Sequence, residues 1–591
     1  MLYPVESETR EVKSLSGIWN FKLNAGNTGE KDGWFTKKLT DTIPMPVPAS
    51  YNDITQNVSI HDHLGEVWYE TTFFIPISWK EKRIFVRFGS VSHSAKVWLN
   101  GMEIMFNKGG FLPFETDASS FLTYGEENRM TVRVNNILDW SSLPVGEVKE
   151  SHDDMHKKGY RVQEYFHDFF NFSGIHRPVL LSVVPKNYIS DISVKTNVQN
   201  TDGIVWYETA VQGTFSMVRV KLLDEDSKIV AEGLGVKGQL VVKNAKLWQP
   251  GKSYLYTLLV ESLNQNDEIE DVYRLPVGIR TVEVKGKQFL INGKPFYFQG
   301  FGKHEDMDIK GKGYDDVMNV KDFNLMQWVG ANSFRTSHYP YADEVMNLAD
   351  RLGIVVIDEV PAVGMNKWNR NEKIFSSGRV DEDTLVHHLD VIEQLIDRDK
   401  NHPCVVLWSV ANEPASYEEE ALPYFEAVAK YTRMLDDTRP ITLVNCSSFD
   451  ECKVAQIFDI VCVNRYFGWY TDSGRLDVIP FQLERDLLGW FNRFGKPVLL
   501  SEYGADTIAG FHSDPPVMFT EEFQCEFLKL YHTVLDKLDF VVGEHVWSFA
   551  DFATKQGTTR VCGNKKGVFT RERQPKMAAH ILRERWNKKS K

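Results

Sequence analysis

The run CVVLWSVANE (404–413) is apolar until it ends in Asn412 and Glu413, and Pro414 follows at once. A run this short and this uniformly apolar reads as a strand covered on both faces, not as one side of a helix. Seven more runs of the same kind follow or precede it: FYFQGFG (296–302), ANSFRTS (331–337), GIVVIDEV (353–360), PITLVNC (440–446), DIVCVNRYFG (459–468), KPVLLSEYG (496–504) and VVGEHVWSFADF (541–552). Amphipathic helical stretches lie between them, among them VMNVKDFNLMQWVG (317–330), ADEVMNLADRLG (342–353) and TLVHHLDVIEQLIDRD (384–399). Eight buried strands alternating with helices predict a (β/α)8 TIM barrel over residues 281–591. An open doubly wound sheet of the same strands stays as the alternative, because counting strands does not prove closure.

Towards the N-terminus the texture differs. Over residues 1–185 short alternating runs such as VWYETTFFIPI (67–77), RIFVRFG (83–89), AKVWLNGMEI (95–104) and MTVRVNN (130–136) are separated by Gly, Asn and Pro turns. They predict a jelly-roll-like β-sandwich. Similar runs over residues 186–280, including DISVKTNV (191–198), FSMVRVKLL (215–223) and YLYTLLVESL (254–263), suit an immunoglobulin-like sandwich. GLGVKG (233–238) matches GxGxxG literally, but strand-like residues follow it, so it reads as a hairpin and not a nucleotide loop.

The chain has 591 residues, 42% hydrophobic and 25% charged, with a formal net charge of −13. Such an acidic surface argues against nucleic acid or an anionic membrane as partner, and an anionic ligand would need a local cationic pocket. The first residues, MLYPVESETREVK, lack the charged-then-apolar pattern of a signal peptide, and no window approaches the roughly 18 apolar residues of a membrane span. The expectation is a cytoplasmic protein whose six cysteines stay free and reduced, since no CxxC pair occurs. The sequons at Asn57, Asn171 and Asn445 then carry no glycan. One stretch departs from the acidic balance: CGNKKGVFTRERQPK (562–576) concentrates cations. The plain reading of such a run is a solvated loop.

In a TIM barrel the reactive groups sit at the C-terminal strand ends. The fourth run ends in Glu413 and the seventh in Glu502. Two glutamates at one mouth, if about 5 Å apart across a sugar ring, are what retaining glycoside hydrolysis requires: one attacks the anomeric carbon and the other protonates the leaving oxygen. Their mutual repulsion would help keep the acid protonated. A carboxylate-bound metal is the alternative, weakened because no HxH or HExxH lies at a strand end. The HDH at His61 and His63 falls in the early β-region and reads as surface.

With WSVANEP and LLSEYG on a barrel behind two sandwiches, the chain resembles glycoside hydrolase family two. YFHDFFNFSGIHRPV (165–179), GFGKHEDMD (300–308), FRTSHYPY (334–341), NRYFGWY (464–470) and GNKKG (563–567) make it similar, within that family, to bacterial β-glucuronidases. The resemblance implies a retaining hydrolase that converts β-D-glucuronides to D-glucuronate and an aglycone alcohol through a covalent glucuronyl-enzyme. It implies Glu413 as acid/base, Glu502 as nucleophile, Asn412 on the sugar 2-hydroxyl and Tyr466 beside the nucleophile. It implies Asp168, His338 and Trp547 as sugar-holding or pocket residues, with barrel core the alternative for Trp547 and a structural role for His338. Asn564 and Lys566, with Arg560 and Tyr470 nearby, would hold the C6 carboxylate, which gives the cations of GNKKG a local purpose. No metal or organic cofactor is implied, and homo-oligomers are usual among such relatives. The loop at 364–383 would overhang the mouth, with Trp368 or Phe375 against the aglycone or merely anchoring the loop. The rivals are a hydrolase of another β-hexoside, such as a galactoside or galacturonide, and a non-catalytic carbohydrate-binding protein.

Overall fold

The computed structural model describes residues 1–589. Its eight strands Phe298–Gly302, Ser333–Arg335, Val355–Glu359, Val405–Asn412, Ile441–Asn445, Val461–Asn464, Val498–Tyr503 and Val541–Trp547 form a closed parallel barrel in chain order. Phe298–Gly302 pairs with both Ser333–Arg335 and Val541–Trp547, which settles closure and removes the open-sheet alternative. Every residue of these strands is buried, as strands walled by helices outside and side chains inside must be.

Seven α-helices wrap the barrel among the described residues. Asp316–Val329 starts where the Asp315 carboxylate accepts from Met318 N at 3.0 Å, and stops at Gly330, whose φ of 85° a side chain would resist. Glu382–Asp399 begins on a capping box made by Asp381 and Thr384. The crossover between the fifth and sixth strands departs from the regular pattern, with only the 3-10 turn Ala455–Ile457 in place of a helix.

The first sandwich packs a four-stranded against a six-stranded antiparallel sheet around a core that includes Trp19, Tyr69, Val86, Phe88 and Val132. The second packs three strands against four. At GLGVKG the hairpin reading is corrected: Ile229–Leu234 pairs with Met217–Leu223 in one sheet, while Lys237–Val242 pairs with Asp202–Gln212 in the other. The turn thus carries the chain between sheets, because each side of it faces a different partner. His61 and His63 are both half-buried in the first sandwich, with a His63 ring nitrogen 2.9 Å from Glu66 O.

Two contacts aim the first sandwich at the barrel mouth. Phe169 makes an isolated antiparallel bridge with Thr554, in the segment after the eighth strand. Arg177 donates to Phe111 O at 2.8 Å on its own side and to Pro340 O at 2.6 Å on the barrel.

Candidate active site

The ends of five strands converge. Arg335 closes the second, Glu359 the third, Asn412 the fourth, Asn464 the sixth, and Glu502 lies one residue before the end of the seventh. Arg335 is fully buried and splits its fork: Nη1 donates to Glu359 at 2.7 and 2.9 Å and to Asn412 Oδ1 at 3.4 Å, while Nη2 donates to Glu502 Oε1. The Tyr466 hydroxyl donates to the other oxygen, Glu502 Oε2, at 2.6 Å. Two donors, one of them the Arg335 cation, therefore fix both oxygens of this carboxylate.

Glu413 follows directly on the fourth strand, with a φ of 51° that turns the chain out of the strand. Asn464 Nδ2 donates to Glu413 Oε1 at 2.7 Å, and Asn464 Oδ1 accepts from Ser501 Oγ at 2.9 Å. Burial, reinforced by the negative charge of Glu502, pushes the Glu413 carboxyl up to about 8; Asn464, Arg335 and Arg465 oppose this and lose. The two glutamates thus sit in different environments: Glu502 is gripped by Arg335 and Tyr466, while Glu413 is desolvated and holds its proton. Burial also works to raise Glu359, but Arg335, His338 and Ser409 outweigh it and keep that carboxyl below its ordinary value.

Above them opens a cavity of about 860 Å³, lined among others by Asp168, His338, Asn412, Tyr470, Trp547 and Arg560. His338 stacks on Trp547 with centroids 5.1 Å apart and uses Nδ1 on Glu359 Oε1 at 2.8 Å, so both residues face the cavity as well as packing into the barrel wall.

At GNKKG the solvated-loop reading fails. Lys566 has no exposed side-chain surface; its Nζ donates to the Tyr470 hydroxyl at 2.8 Å and to Asp506. Asn564 Nδ2 donates to Asp168 Oδ2 at 2.7 Å, and Asn564 Oδ1 accepts from Lys566 N at 2.9 Å. Arg560 reaches Asp168 at 2.8 Å and the Tyr470 hydroxyl at 2.7 Å. Asn564 and Lys566 are absent from the cavity lining: they stand behind Asp168, Tyr470 and Arg560, which form it. Asp506 and Asp168 compensate the cations from within the protein.

Sequence reasoning missed Arg335, Glu359, Asn464 and Asp506. The signal was there for the first three, each a polar residue ending a buried run; for Asp506 nothing local marks it. Phe375 is corrected: it is 4% exposed and packed on Tyr424 and Phe425, so it anchors the loop, whereas Trp368 is 63% exposed at the cavity. All six cysteines are unpaired, with only Cys562 exposed. One group of metal-ligand type occurs among the described residues, Asp350, His402 and Cys404. It lies at the start of the fourth strand, away from the cavity; His402 Nδ1 and Cys404 N already occupy the Asp350 carboxylate at 2.6 and 2.9 Å, and burial pushes the Cys404 thiol up.

The comparisons agree over the whole length. Models described as glycosyl hydrolases family 2 match in three parts: the sugar binding domain at 12–185, a central domain at 187–280 and the TIM barrel domain at 282–590. The chain belongs to glycosyl hydrolase family 2. Among relatives it is 58% identical to a β-glucuronidase of Paenibacillus borealis, over 99% of this chain and 98% of that one. Among solved structures it is similar to the β-D-glucuronidase of Dictyoglomus thermophilum, at 57% identity and a TM-score of 0.95, covering 100% and 99% of the two chains. It is also similar to the β-glucuronidase of Ruminococcus gnavus in complex with D-glucuronic acid, at 39% identity and a TM-score of 0.93, covering 99% of each.

Proposed function

We propose that this enzyme is a retaining β-glucuronidase in which Glu502 attacks the anomeric carbon and Glu413 first protonates the leaving oxygen, then deprotonates the incoming water. The observation that carries this reading is the asymmetry of the pair: Arg335 and Tyr466 hold one carboxylate for attack, while burial keeps the other protonated for donation. Asn412 is placed for the 2-hydroxyl, and Asp168, His338, Tyr466 and Trp547 for the remaining ring. Tyr470 and Arg560 meet the C6 carboxylate from the cavity wall, and Asn564 and Lys566, directly behind them, supply the donors and positive charge that suit that end of the cleft to a carboxylate. The roles divide over the segments 1–185, 186–280 and 281–591, the first lending Asp168 and the last the remaining residues.

A cytoplasmic setting belongs to the same proposal, in keeping with unpaired and mostly buried cysteines. So does a homo-oligomer, which light scattering checks. No helix among the described residues is long and apolar enough to cross a membrane.

The deciding experiment follows p-nitrophenyl β-D-glucuronide by proton NMR beside the β-D-galactoside. Release of β-glucuronate before mutarotation, with little galactoside turnover, is expected. First-formed α-product, or preference for the galactoside, would remove the proposal.

A further inference from the structure

Lys312 is 5% exposed, yet among the described residues its Nζ has neither a hydrogen-bond nor an ion-pair partner; only the backbone N of this residue bonds, to Ser50 Oγ at 3.0 Å. A buried ammonium is costly unless something compensates it. Three rings do: Nζ lies 3.6 Å from the Tyr339 centroid, 4.8 Å from Phe169 and 5.9 Å from Phe111. Two of these rings come from the first sandwich and one from the barrel. Phe111 stacks on Tyr339 at 4.6 Å, and Phe169 meets Tyr339 edge-on at 5.4 Å, so the three close into one box across the domain seam.

The two nearest rings are the chain neighbours of two cavity residues. Phe169 follows Asp168, and Tyr339 follows His338. Along the sandwich segment the alternate side chains Tyr165, His167 and Phe169 stack, at 4.4 Å and 3.9 Å between successive centroids, which leaves Asp168 on the opposite side, towards Arg560 and Asn564. On the barrel side the Tyr339 hydroxyl accepts from Glu305 N at 3.2 Å and pairs with His304 Nδ1 at 3.0 Å, so that ring is also fixed.

We propose that Lys312 is a positioning residue for substrate binding: its ammonium, boxed by Phe111, Phe169 and Tyr339, sets the sandwich-borne Asp168 against the barrel-borne His338. The inference rests on the reading that these two residues hold the sugar. Cation–π attraction in a desolvated site is strong enough to matter for alignment. Lys312 itself does not line the cavity. Burial pulls the Lys312 ammonium down to about 7, Asp306 and Glu305 pull the other way, and Arg177 and Lys303 add to the burial; neutral His167, His176 and His304 also face it. The box is therefore most fully charged on the acid side of neutrality.

The test is a double-mutant cycle on p-nitrophenyl β-D-glucuronide. Lys312→Met should raise KM about 5- to 30-fold with kcat within about twofold, and more at pH 6 than at pH 9. In an Asp168→Asn background the same change should raise KM less than about twofold, because the residue it positions is already impaired. Equal losses in both backgrounds, or a fall in kcat at constant KM, would overturn the proposal. If Lys312→Met does not fold, Phe169→Leu carries the same expectations. If Asp168→Asn alone leaves KM unchanged, the assignment of Asp168 fails, and the inference falls with it for that separate reason.

Discussion

Asn464 donates to Glu413 at 2.7 Å from the end of the sixth strand, across the fifth, yet burial and the charge of Glu502 still push the Glu413 carboxyl to about 8. Desolvation and the negative charge of Glu502 act together on the Glu413 proton, and this governs the chemistry expected of the pair.

The two glutamates should fail differently. Glu502→Gln is expected to abolish turnover of every substrate, since no glycosyl-enzyme can form. Glu413→Gln should spare aryl substrates with good leaving groups, and added azide should then yield a β-azide product detectable by mass spectrometry. Near-wild-type rates in Glu502→Gln would refute the assignment.

Folded Glu413 keeps its proton to about 8, against an ordinary value of 4.5, so the folded state holds an extra proton between those values. Stability therefore falls as pH rises through that window, with the cost complete above about 8. Glu413→Gln should raise the thermal midpoint relative to wild type at pH 8.5 and leave it unchanged near pH 4. The alkaline limb of catalysis has the same origin: kcat/KM should decline above about pH 8, as the general acid loses its proton. A flat difference in midpoint across this range would count against a buried, protonated Glu413.

Lys566 is expected to decide substrate identity. Lys566→Ala should lower kcat/KM for the glucuronide about 10- to 150-fold, while the glucoside stays flat or rises. Because this change also strips Asp506 of its ammonium, Lys566→Ala combined with Asp506→Asn should recover thermal stability without recovering glucuronide preference. Asn564→Ala should show a milder form of the same asymmetry. Proportional losses on both substrates would withdraw the carboxylate role.

The 364–383 loop offers an internal control. Trp368→Ala should raise KM for extended or aromatic aglycones about fivefold and leave the smallest substrates alone. Phe375→Ala, emptying a packed site against Tyr424 and Phe425, should cost about 3–5 kcal/mol of stability with no dependence on aglycone. Comparing KM for methyl and bulky aryl glucuronides, alongside thermal melts, separates the two.

From sequence alone came whatever short-range pattern carries. Runs such as GIVVIDEV and CVVLWSVANE announce strands buried on both faces, and their number and alternation with helices announce the barrel. Glu413 and Glu502 are legible as strand-end acids for the same reason, and the two sandwiches from their alternation. Closure was not legible, because it depends on Phe298–Gly302 meeting Val541–Trp547 at the far end of the chain. Nor was the crossover without its helix, or the turn that splits GLGVKG between sheets, since each depends on which distant partner a strand finds. The electrostatics belong wholly to the tertiary structure. Asp168 and Asn564 are 396 residues apart, Arg335 and Glu502 are 167 apart, and Lys566 and Asp506 are 60 apart. A charge in sequence has a sign; only folding decides its burial and its neighbours, and these determine whether a glutamate attacks or donates and whether a lysine is solvated or held behind a site.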